Sequence, residues 1–287
     1  MASGMRLLSV AANAVIVVAC VVVDVALHRL GAWAFDFNYF DNGLPQSVLV
    51  EKGYFPAAAS LGFVVMFAFL GLSYARSRSK LRGTPFSSGL RFFAPIAFIM
   101  FFGVFESAFI FPTPFKAELV TAFADAAPYI LLGALLSRFA RPEGSTGNGR
   151  EGETASWRSM VWVALFFVLG RYLVSYPILQ IVSGYKLRVA GTLAWTVGCG
   201  LSMGAFYWLA GSSFAAGTPI RKALRVGAFT LGVFWLMIQL FFALISDVSI
   251  SDLLTRAAAD AAYLVIGIYS YERMFRAGRS LGRAVPA

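Results

Sequence analysis

Five ionisable side chains stand inside long apolar runs of this sequence: Asp24, Glu106, Asp125, Arg171 and Asp260, with the amide of Gln239 as a further polar group of the same kind. A charge at the centre of a bilayer costs about 2.5–3.5 kcal/mol on insertion scales, so such residues persist where they bind something or compensate one another. These six are the candidate substrate- or ion-binding residues. The carboxylates could hold a cation or pass on protons. Arg171 keeps its proton under all ordinary conditions, so it must pair, reach water or meet an anionic ligand. Asp24 is its expected partner, because the two residues lie on helices that occupy equivalent places in the two halves of the chain. Glu106 precedes, and Asp125 follows, a short connection between two apolar runs. At 1.5 Å per residue both sit roughly 8–11 Å below that end of the span, so they are expected to face one another, with Gln239 and Asp260 at similar depths in the second half.

The elements that position these groups follow from composition. The chain has 287 residues, 59% of them hydrophobic and 13% charged, with a mean hydropathy of +0.74. Soluble domains carry about 25% charged residues, so a disordered chain, a disulfide-rich secreted module and a basic nucleic-acid-binding domain are all excluded. A membrane-crossing helix needs about 20 mostly apolar residues. Eight stretches meet that length, at roughly 7–27, 54–75, 92–111, 118–136, 159–182, 188–210, 226–246 and 253–271. Lone strands cannot satisfy their backbone in lipid, so the expected fold is an all-α integral membrane protein of eight transmembrane helices.

Cations orient it. Arg76, Arg78, Lys80, Arg82 and Arg91 share one connection with Arg138, Arg141, Arg150 and Arg158 in the next on the same side, followed by Arg221, Lys222 and Arg225 and then by the tail residues Arg273, Arg276, Arg279 and Arg283. The opposite side holds Arg29, Lys52, Lys116, Lys186, Arg188 and Arg256. The positive-inside rule then places both termini in the cytoplasm. The formal charge of +10 therefore reflects topology and contact with membrane lipids, not a nucleic-acid partner. The first apolar run continues past Cys20 to Leu27, which favours a span over a cleaved leader. Cys20 and Cys199 both fall within spans and read as small packing residues.

A duplication organises the chain. Gly83-Thr84-Pro85 followed by Leu90-Arg91 recurs as Gly217-Thr218-Pro219 followed by Leu224-Arg225, and the block from Leu119 to Ala127 around Asp125 recurs from Leu254 to Ala262 around Asp260. Residues 1–138 thus form a first four-helix repeat, 139–157 a polar cytoplasmic linker, and 158–287 a second repeat with a short basic tail. Each repeat crosses an even number of times, so the two are parallel, related by an axis along the membrane normal. The outer connection 28–53, with Trp33, Phe35, Phe37, Tyr39 and Phe40, suits the headgroup zone.

No phosphate loop, dinucleotide fingerprint or Cys-x-x-Cys occurs, and His28 is the one histidine, so neither a metal site, a cofactor nor catalytic residues are expected. The expected function is multi-pass membrane transport of a small solute, ion or lipid-like molecule between the two repeats, in a cell membrane of the bacterial cytoplasmic type. The alternative is a non-catalytic integral subunit of an envelope complex, with integral membrane partners or a second copy of itself.

Overall fold

The computed structural model describes residues 2–37, 45–110, 113–139, 155–214 and 217–276, and within them the fold is all-helical, with no strand beyond an isolated bridge between Gln46 and Ser246. Its long helices are α1 (Ala2–Phe35), α2 (Phe55–Lys80), α3 (Pro85–Ile110), α4 (Phe115–Phe139), α5 (Arg158–Ser175), α6 (Val189–Gly211), α7 (Pro219–Ile245) and α8 (Ile250–Tyr271). Among the described residues, seven of these, α1 to α7, are long and apolar enough to cross a membrane. The protein is therefore a multi-pass membrane protein. The eighth expected span is a helix of 22 residues, but Asp252, Arg256 and Asp260 make it more polar than the others.

Several boundaries differ from the sequence expectation, among them the starts of α3 and α7, at Pro85 and Pro219 instead of 92 and 226. α1 runs on to Phe35, so the start of the connection expected at 28–53 is helical. α5 ends at Ser175 instead of continuing to 182, and residues 176–188 form an irregular connection. Pro177 lies at this point and has no backbone donor for the helical ladder, and Gln180 three residues on takes left-handed backbone, φ 52°. The last helix starts at Ile250, capped by the Ser249 side chain. The linker residues 140–154, together with Tyr39, Phe40 and the tail beyond Arg276, lie outside the described residues.

Packing is the same in both sets of four helices. α1 packs on α2 and α4, and α3 on α4; correspondingly α5 packs on α6 and α8, and α7 on α8. The two sets meet through α2 on α7 and α3 on α6. The Gly-Thr-Pro turns also match. Gly83 and Gly217 adopt left-handed backbone, φ 95° and 118°, which favours glycine. Thr84 and Thr218 then cap their helices by accepting the backbone N–H of Ser87 and Arg221, ahead of a proline in the first turn.

Where helices meet, the core is aromatic. Phe92 of α3 packs edge-on against Phe206 of α6, Phe93 is fully buried beside Gly133 of α4 and Tyr74 of α2, and Tyr129 of α4 stacks edge-on against Phe67 of α2 and Phe234 of α7. At Gly204 any Cβ would stand 2.2 Å from the Met160 carbonyl, so only glycine allows α5 and α6 to approach this closely. Apolar side chains such as Val15, Val22, Leu61, Val65 and Leu173 face outward, as a lipid-facing surface requires.

The two sets of helices differ in one respect. Among the described residues the π-helical segments fall in the second set: Arg171–Ser175, Tyr207–Gly211, Leu224–Gly232 and Glu272–Arg276. Such i→i+5 stretches are less stable than α-helix and concentrate at functional sites.

Candidate functional site

α5 delivers Arg171 to the start of its π segment, and the side chain is only 1% exposed. The guanidinium is fully engaged. Its Nε donates to Asp260 Oδ1 at 2.9 Å and its Nη2 to Asp260 Oδ2 at 2.5 Å, a bidentate pair. Nη1 donates to Glu106 Oε1 at 2.9 Å and to the Tyr176 hydroxyl at 3.4 Å. The ring of Trp195 lies 4.5 Å from the guanidinium carbon and that of Phe167 lies 5.2 Å away; both can stabilise the cation through their ring faces. Trp235 completes the arrangement by donating its indole N–H to Asp260 Oδ2 at 2.8 Å.

A second guanidinium joins this network from one turn earlier on α8. Arg256 Nη1 donates to the same Glu106 Oε1 at 2.6 Å, and Nη2 donates to the Val182 carbonyl at 2.6 Å and to Asp252 Oδ2 at 3.1 Å. Asp252, Arg256 and Asp260 recur every four residues and so share one face of α8. Glu106 sits where the helical ladder of α3 is interrupted. It is the one acid of the network that comes from the first four helices, and it bridges both arginines. Two cations therefore face three carboxylates in a hydrogen-bonded chain that is buried except at Asp252, whose side chain is 20% exposed.

Beside this network is a cavity of about 250 Å³ lined by Glu106, Arg256, Asp252 and Gln239 together with Phe242 and Val248. Two of its buried donors, Gln239 Nε2 and Arg256 Nε, have no hydrogen-bond partner. The connection between α1 and α2 reaches the same end of the molecule. Ser47 N–H donates to the Ile245 carbonyl at 3.1 Å and Asp247 N–H to the Pro45 carbonyl at 2.9 Å, so part of the connection expected to rest on lipid is tied to the α7–α8 turn.

Arg171, Glu106, Asp260 and Gln239 thus come together as expected residues of one site. Asp24 and Asp125 do not join them. The expected Arg171–Asp24 pair is replaced by Arg171 with Asp260 and Glu106, and the expected facing of Glu106 and Asp125 by Asp125 with His28. The reason is helix adjacency: α1 packs on α4, whereas α5 packs on α8. Each set of four helices therefore closes on itself, and each repeated aspartate takes a cationic or imidazole partner from its own set's first helix. In the first set His28 Nε2 is 2.8 Å from Asp125 Oδ1 and 4.0 Å from Asp24 Oδ1.

Sequence reasoning missed several participants. Arg256 counts as an outer-loop cation by position but is 4% exposed within α8; its i±4 register with Asp252 and Asp260 is the signal that identifies it. His28 follows Asp24 by four residues, the spacing that puts two side chains on one helical face. At the other end of α8, Glu272 accepts from Lys222 Nζ at 2.8 Å and from the Tyr207 hydroxyl. Between Asp260 and Glu272 the same helix presents Leu264 and Ile268, both fully buried. No family model, curated protein or solved structure matches the chain.

Proposed function

We propose that this chain is a membrane transport protein of eight transmembrane helices, built as two parallel four-helix repeats with cytoplasmic termini, and that it moves a small solute or ion through the region where α3 meets α5, α7 and α8. The observation that carries this reading is the buried Arg171–Asp260–Glu106–Arg256 network, whose Glu106 and Arg256 line a cavity. A purely structural ion pair needs no adjoining space. Here the cavity is lined by two unpartnered donors, Gln239 Nε2 and Arg256 Nε, which suit a solute presenting carboxylate or carbonyl oxygens. The apolar stretch of Leu264 and Ile268, followed by Glu272 and Lys222, is what an occluded path with a second polar station would contain. The common packing of the two sets of helices and their matched caps favour the repeat reading.

The test is flux. Purified protein in proteoliposomes is challenged with a panel of small carboxylates, amino acids and monovalent cations, with currents recorded on a solid-supported membrane. At least one solute is expected to give a transient that disappears in Asp260→Asn while the variant stays monodisperse. Unchanged flux in Asp260→Asn would overturn the proposal. So would a chain that moves nothing in the panel and always co-purifies with one stoichiometric integral partner, which is the behaviour of a complex subunit.

A further inference from the structure

The Asp24, His28 and Asp125 side chains lie outside the arginine network and have no part in the transport reading. Asp24 and His28 project from one face of α1, and Asp125 reaches them from α4. One donor atom from each, a carboxylate oxygen from the aspartates and a ring nitrogen from the histidine, lies within 4.8 Å of the other two. The side chains of Asp24 and Asp125 are 2% and 5% exposed, while His28 is 23% exposed, leaving an approach for an ion or water.

We propose that Asp24, His28 and Asp125 form a binding site for a divalent first-row transition-metal ion. Two observations carry this independently. The first is the donor set: one imidazole nitrogen and two carboxylate oxygens on adjacent helices. Imidazole suits zinc, iron, nickel and copper, whereas calcium and magnesium prefer all-oxygen shells. Donors sharing one tetrahedral ion at about 2.0–2.1 Å stand about 3.4 Å apart, and the 2.8 and 4.0 Å separations from His28 Nε2 bracket that value. The second is Asp24 Oδ1, which is buried, points to His28 Nε2 and accepts no hydrogen bond. A buried carboxylate oxygen without a donor is costly, and one imidazole in contact with Asp125 cannot neutralise two acids. A dication matches their combined charge. Three protein ligands leave a coordination position for water or an exchanging ligand.

The experiment uses the full chain in detergent and does not depend on flux. Zinc content is measured after purification, and Zn²⁺ affinity by competition with a fluorescent chelator. One Zn²⁺ per chain is expected, with a rise in melting temperature that chelation reverses. Loss of even an outer-shell partner commonly weakens metal binding by about 10–100-fold, so His28→Ala and Asp125→Asn should weaken it at least about 100-fold. His28→Cys, which supplies another zinc ligand, should restore binding of Zn²⁺, and Glu51→Gln on the exposed outer connection should not change it. Folded wild-type protein that binds neither Zn²⁺, Co²⁺ nor Mn²⁺ overturns the proposal. Binding that survives undiminished in monodisperse His28→Ala overturns it too.

Discussion

Arg171 illustrates what a single charge demands of a membrane interior. Its guanidinium forms a bidentate pair with Asp260 and also contacts Glu106, with all three side chains at most 4% exposed. Breaking a buried pair by removing one partner costs about 3–5 kcal/mol, because the other charge is left uncompensated. Arg171→Met should therefore lower the thermal stability of the detergent-solubilised protein markedly, and adding Asp260→Leu should recover much of the loss. Arg171→Met with Asp24→Leu should recover none, since Asp24 belongs to the other cluster. Recovery by Asp24→Leu and not by Asp260→Leu would contradict the observed pairing. The identity of these residues was legible in the sequence because an ion in an apolar run is conspicuous by its type. Their partners were not legible, because pairing depends on which helices lie side by side, and a uniformly apolar sequence carries little record of that. The role of Arg256 is hidden in the sequence for a related reason: near the end of a span, a cation that turns inward and one that reaches the headgroups look alike.

The Gly-Thr-Pro turns show the opposite balance at the level of elements. Their local chemistry specifies the geometry completely: left-handed glycine, threonine cap, proline in the first turn. The structure has that arrangement at both positions. Because the caps are local and lie away from the ion network, Thr84→Ala and Thr218→Ala should each cost about 1 kcal/mol, with similar effects on melting temperature and no change in solute or metal binding. A large difference between the two would mean that the turns carry different loads despite their common form. The π segments could not be read in the same way. Switching from i→i+4 to i→i+5 bonding leaves composition untouched, and in a run apolar on all sides there is no stripe whose phase would shift. The early end of α5 did have a signal in Pro177, but the apolar residues Ile178, Leu179, Ile181 and Val182 around it resemble the continuation of a span. They instead form an irregular connection in which Ile178, Leu179 and Val182 face outward and Ile181 turns against protein, while the Val182 carbonyl accepts from Arg256.

The parity of the bundle turns on α8, whose composition alone is the least suited to lipid. Its charges are the reason, and they all turn inward: Arg256 and Asp260 are buried, and Asp252 pairs with Arg256. On its other side Leu254 and Ile266 are 46% and 50% exposed. A helix that neutralises its ions internally presents an apolar surface outward, so average hydropathy understates its capacity to cross. With α8 as a span the number of crossings is even, and both ends of the chain lie on the side rich in cations, as the positive-inside rule demands for Arg76, Arg78, Lys80, Arg82 and Arg91 between α2 and α3. Epitopes placed at the N-terminus and at the C-terminus should then have the same protease sensitivity in sealed vesicles: protected in right-side-out vesicles and cleaved in inverted ones. A single cysteine replacing Ser249, between α7 and α8, should react with a membrane-impermeant maleimide from the outer side once Cys20 and Cys199 are replaced by alanine. Epitopes of opposite sensitivity would show that α8 does not cross. The second set of helices would then enclose the Arg171 network with three spans and a helix lying at the surface, and the parallel-repeat arrangement would fail with it.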